Sequence, residues 1–110
     1  MELIRNNYKI TLDKNRIIFI GKIEECSYEE ISNFLLQLDN NIKEDEIILD
    51  LILLKFLNSA GIRVLATFFL RNSRKVIIKI NKNITWQNVG ITPLIKLKSD
   101  GKIEILAEGD

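Results

Sequence analysis

Apolar and polar residues alternate in short runs whose period changes several times along the chain. From Leu3 to Leu12 the alternation is mixed, with Tyr8, Ile10 and Leu12 on one face, which predicts a strand. Asp13, Lys14 and Asn15 supply a turn, and Arg16 to Ile20 predicts a second strand that completes an opening hairpin closed by Gly21. The period then lengthens. Ser27 followed three residues later by Glu30 has the spacing of a capping box, and Tyr28, Ile31, Phe34, Leu35 and Leu38 recur at helical intervals to about Asp39. A polar connection, Asn40 to Asp45, leads into Glu46 to Leu51, a nearly continuous aliphatic run. Such a run suits a strand covered on both faces or lying at the centre of a sheet.

From Ser59 onward the period is again helical, with Ile62, Leu65, Ala66 and Phe69 on one side. Asn58 or Ser59 can cap this helix, and Gly61 permits close approach by backbone or by a partner. The helix N-terminus faces outward and suits an anion. Arg74 to Ile80 predicts a further strand, broken by Asn81, Lys82 and Asn83. Gly90 and Pro93 prevent a long helix, while Thr92 and Pro93 can start a short one ending near Lys98. Ser99 to Gly101 makes a turn, and Lys102 to Leu106 predicts an edge strand before an acidic tail. Strands alternating with helices predict an α/β fold, and the opening hairpin predicts a mixed sheet of four to five strands packed with amphipathic helices.

Composition narrows the chemistry. The 110 residues suit one domain, 1–110, with 46% hydrophobic residues to build its core. A formal net charge of +1 leaves no electrostatic footprint for nucleic acid. No apolar run is long enough to span a bilayer, and MELIRNNYK has neither a signal core nor a cleavage site, so the chain is expected to be soluble and cytoplasmic, without a membrane partner. The single cysteine, Cys26, can form neither an internal disulfide nor a zinc site and reads as a small packing residue. With no histidine in the chain, the commonest general base and the usual activator of a serine or cysteine nucleophile are both missing. Ser59 lies outside any Gly-x-Ser-x-Gly elbow, and no phosphate-binding glycine fingerprint is present. The paired carboxylates Glu24/Glu25 and Glu29/Glu30 read as solvated edges. An enzyme is therefore not expected, nor a metal or cofactor.

A binding surface is the remaining candidate. On the second helix Arg63, Val64, Thr67, Phe68 and Arg71 fall outside the Ile62, Leu65, Ala66 and Phe69 face. Val64 and Phe68 are spaced as an apolar pair flanked by arginines, a composition favoured at protein interfaces; they suit core packing equally well if the helix is deeply buried.

LDL at 49–51 followed by FLNSAGI at 56–62 resembles the signature of STAS domains, the fold of bacterial anti-sigma factor antagonists and of sulfate-transporter tails. The resemblance runs from GKIEE at 21–25 to the late helix at Thr92 to Leu97, and is closest to a subgroup with Asn at the first signature position and a Trp-Gln pair like Trp86 and Gln87. In the antagonists the signature usually reads Asp-Ser-Ser-Gly-Leu, and the serine before the glycine is phosphorylated by a partner kinase. Here the matching residues are Asn58, Ser59, Ala60, Gly61 and Ile62, so Ala60 stands at the phosphoserine position. The resemblance implies a partner switch in which the turn 58–61 and the following helix dock on an ATP-binding anti-sigma factor or switch kinase, with a PP2C-type phosphatase and a second copy as further partners. Phosphorylation would expel the antagonist by placing nearly two negative charges in the contact. Ala60 cannot carry that phosphate. Three readings stay open for it: a constitutively binding natural variant, a switch moved to Ser59, or an engineered substitution. Glu24 matches an acidic residue that lies near the phosphoserine in the antagonists. The alternatives to a signalling regulator are a structural or oligomerising STAS domain and a module for a small anion or nucleotide.

Overall fold

The computed structural model describes residues 1–25, 28–97 and 103–108. Cys26, the Ser27 cap, the end of the late helix at Lys98, the Ser99 to Gly101 turn, Lys102 and the last two residues lie outside them.

Among the described residues six strands form one sheet in sequence order, β1 to β6. These are β1 (Glu2–Ile4), β2 (Tyr8–Asp13), β3 (Arg16–Ile23), β4 (Glu46–Leu57), β5 (Lys75–Asn81) and β6 (Ile103–Glu108). The first three form an antiparallel meander and the last three join in parallel, so the sheet is mixed as expected. The strand count exceeds the expected four to five because Leu3 to Leu12 is two strands: the chain turns between Ile4 and Tyr8, and Leu3 pairs back on Ile10. The β2–β3 turn is two residues long, with Lys14 in the left-handed region at φ 59.

Gly21 lies within β3 and does not end it. At φ 101 it occupies backbone space closed to other residues, and a Cβ there would lie 2.2 Å from the carbonyl oxygen of Asn7. That close approach lets the Lys22 amide donate to the same carbonyl at 2.8 Å.

Each parallel step needs a crossover. α1 (Tyr28–Asn41) joins β3 to β4 and α2 (Ser59–Arg71) joins β4 to β5. α3 (Thr85–Gly90) and a 3₁₀ helix (Thr92–Leu97) lead from β5 towards β6. Crossovers of one hand that step across a sheet in one direction stack their helices on one face. Ile10, Ile17, Phe19, Leu49, Leu51 and Ile78 fill the space beneath, meeting Leu35 and Leu38 of α1 and Leu65 and Phe69 of α2 in one contiguous core. β4 is thus a central strand, and helices cover one of its faces. On the other face Ile18, Ile20, Ile48 and Ile77 are half-buried among ion pairs. Lys75 lies 3.1 Å from Glu104 and 3.9 Å from Glu46, and Lys79 lies 3.7 Å from Glu108. Asp50, 5% exposed, receives Arg16. That contact, first through the hydrogen bond and then through charge, raises the Arg16 guanidinium above its ordinary value.

Candidate functional site

β4 is twice as long as its sequence suggests, and it changes phase on the way. Buried positions run Ile47, Leu49, Leu51, then Leu54, then Leu57, so the spacing of two becomes three. The ladder with β3 explains the shift: Ile18 faces Asp50 but Ile20 faces Leu53, and Gly21 faces Leu54 but Lys22 faces Phe56. β4 carries the extra residue each time, as in a bulge. The Asp50 carboxylate accepts the Ile52 amide at 3.1 Å inside the first of these irregularities.

At the end of this bent strand Asn58, in extended conformation, caps α2. Its Oδ1 accepts the Gly61 amide at 2.8 Å, and its Nδ2 donates to the Glu24 carbonyl at 3.2 Å. Its own amide donates to Ile23 at 2.9 Å. The choice between Asn58 and Ser59 as cap is thereby decided, and Ser59 becomes the first residue of the helix, exposed, with Ala60 half-exposed beside it. No acidic residue stands in the first turn, so the positive end of the helix is not neutralised from within. Gly61 is buried: a Cβ would meet the Leu57 side chain at 2.2 Å, so the space it leaves is taken by the core and not by a partner. Glu24 is exposed and is tied to the turn through its backbone.

α2 is rolled further towards α1 than its periodicity indicates. Val64 and Phe68 are 2% and 8% exposed, so this pair is core and not a surface anchor; Ile62 and Ala66, expected inside, are half-buried instead. α1 is the reason. A groove of about 50 Å³ between the helices is lined by Leu35, Leu36, Val64 and Phe68 together with Asp39 and Arg71. Arg63, Thr67 and Arg71 remain accessible. The Arg63 guanidinium sits 5.4 Å from the centre of the Tyr28 ring, and the Tyr28 hydroxyl donates to Thr67 at 3.3 Å, fastening the two helices near the turn.

Two features escaped the sequence. Glu30 is not merely a solvated edge: it accepts from Arg5 at 2.9 Å and from the Tyr8 hydroxyl at 3.3 Å. The Arg5 hydrogen bond holds its carboxyl below the ordinary range. The second is α3. Its Gln87 is completely buried, donating to the carbonyls of Leu51 and Leu54 at 2.7 and 2.8 Å and accepting the Asn81 amide at 2.7 Å. Its Trp86 donates to the Lys55 carbonyl at 2.7 Å. The Trp-Gln pair was the available signal, though nothing in its spacing indicates these acceptors.

Among the described residues no group of His, Cys, Asp and Glu could hold a metal ion, and no helix is long and apolar enough to cross a membrane. The arrangement offers a preorganised turn and a polar helix face.

No protein-family model and no curated protein sequence matches the chain. Among solved structures it is similar to the crystal structure of an anti-sigma factor antagonist from Mycobacterium paratuberculosis, with a TM-score of 0.60 over 88% of this chain and 83% of that one. The chain has the fold of an anti-sigma factor antagonist. At 14% identity the likeness concerns the fold alone. This antagonist fold accommodates the six-stranded mixed sheet and the helices on its covered face.

Proposed function

We propose that the protein is a non-enzymatic signalling regulator, acting in the cytoplasm as a single domain, which docks the 58–61 turn and the outer face of α2 on a protein partner in a partner switch. One observation carries this: the turn is fixed before any partner arrives, by the Asn58 cap and its link to Glu24, while Ser59 is exposed and Ala60 half-exposed at its tip. A rigid exposed turn loses little conformational freedom on docking. The fold shared with an anti-sigma factor antagonist supports a partner of that pathway, an ATP-binding anti-sigma factor or switch kinase. Arg63, Thr67 and Arg71 extend the contact along α2, with Glu24 beside the turn. Val64 and Phe68 contribute by packing α2 against α1. Ala60 cannot accept a phosphate, so the protein binds constitutively unless Ser59 takes over that role.

The test compares tagged wild type with Ala60→Asp in host lysate, with retained proteins identified by mass spectrometry and the leading one purified for a direct binding measurement. Wild type should hold an ATP-binding regulator that Ala60→Asp loses, because the added carboxylate is desolvated at the contact. Equal binding by both copies refutes docking through the turn.

A further inference from the structure

The last half of β4 reaches the turn without the support of its neighbour β5. Their ladder ends at Asp50 and Lys79, whereas β4 continues to Leu57. On the other side the two extra residues interrupt the ladder with β3. Carbonyls in such a stretch have lost strand partners, and buried ones need replacements.

α3 supplies them. The Gln87 side chain lies between the separated strands, with its amide nitrogen on Leu51 and Leu54 of β4 and its amide oxygen on Asn81 of β5, in place of missing ladder rungs. Trp86 takes the Lys55 carbonyl, three residues before Asn58. A residue serving only to fill the core would be aliphatic, since burying an amide is unfavourable unless each polar atom is bonded. Gln87 satisfies both ends of its amide on backbone, which identifies bracing as its role. The turn is then held from two sides: by Ile23 and Glu24, which bond Asn58, and by α3, which bonds the strand leading into it.

We propose that Trp86 and Gln87 are positioning residues, which hold the bent end of β4, and with it the Asn58–Gly61 turn, in the pose that meets the protein partner. This rests on the docking function proposed above. α3 thereby sets the presentation of a surface to which it need contribute no contact.

The experiment measures deuterium exchange residue by residue in wild type, Trp86→Phe and Gln87→Met. A buried β2 substitution, Ile10→Val, controls for general loss of stability. Exchange at Asn58, Gly61 and Ile62, relative to α1 amides, should quicken on the order of five- to tenfold for each bracing hydrogen bond removed. Ile10→Val should move all amides only in proportion to global stability. Trp86→Phe keeps an aromatic six-membered ring while removing one hydrogen bond and part of the indole, so it remains informative if Gln87→Met does not fold. Unchanged or merely proportional exchange at the turn in Trp86→Phe overturns the proposal.

The regulator recovered by wild type, once purified, provides the second readout. Trp86→Phe should weaken its binding by a factor similar to the change in exchange. Undiminished binding by a protein whose turn has loosened overturns the link between bracing and docking. If wild type binds no regulator, the docking function falls and with it this link, while the exchange rates still decide whether the pair holds the turn.

Discussion

Replacing Asn58 separates two bonds of its side chain. Asn58→Ala removes the acceptor that caps α2 at 2.8 Å and the donor that reaches Glu24 at 3.2 Å. The cap is worth about 1 kcal/mol. The second bond, long and at the surface, adds about 0.5 kcal/mol. Asn58→Ala should therefore lower unfolding free energy by about 1.5 kcal/mol, or the melting temperature by about 6 °C or more for a chain of this size. Asn58→Asp keeps the acceptor and places a negative charge at a helix end with no acidic residue in its first turn, a gain of about 0.5 kcal/mol. It loses the donor to Glu24, which offsets that gain, so its stability should lie close to wild type. Urea unfolding at neutral pH, with midpoints compared at constant m value, provides the measurement. The reasoning fails if Asn58→Ala stays within about 0.3 kcal/mol of wild type, or if Asn58→Asp is as damaging as Asn58→Ala.

Gly21→Ala should cost about 3 kcal/mol, because it forces a side chain onto backbone at φ 101 with the Asn7 carbonyl 2.2 Å away; a urea midpoint near wild type would show that the β1–β2 loop yields easily. Glu30 titrates below its ordinary value of 4.5 because Arg5 bonds its charged form. Its contribution to stability is thus present above the unfolded value and is lost as pH falls through the lower folded value. Melting temperatures of wild type and Glu30→Gln should accordingly converge as pH drops below that range, and a difference that stays constant from neutral pH to pH 3 would contradict the Arg5 coupling.

The elements that could be read from the sequence were those fixed by neighbouring residues. The change of period at Ser59 and the alternation of Tyr8, Ile10 and Leu12 depend on local geometry and stand as expected, and the two caps left open, Asn58 and Ser59, resolve to Asn58. The phase changes in β4 were hidden because LDLILL contains almost no polar residue to mark which side faces in. The roll of α2 was hidden for a related reason. Ile62, Val64, Ala66 and Phe68 make the helix apolar on several sides, and only α1, from elsewhere in the chain, selects Val64 and Phe68. α3 is six residues long, too short for a period to emerge, and its bonds reach carbonyls more than thirty positions away. The Glu30–Arg5 pair spans 25 positions and is equally invisible to local reading.

The way the sheet ends constrains recognition as well. An exposed edge strand is a template on which another chain can add itself. Here one edge is β1, only three residues long, and the other is β6, where Glu104 and Glu108 project from the strand as charged neighbours of any arriving backbone. Both features discourage strand addition and the aggregation that follows from it. Under the docking function proposed above, recognition falls to side chains on the helical layer, where a single added charge at the tip of the turn would act as a veto.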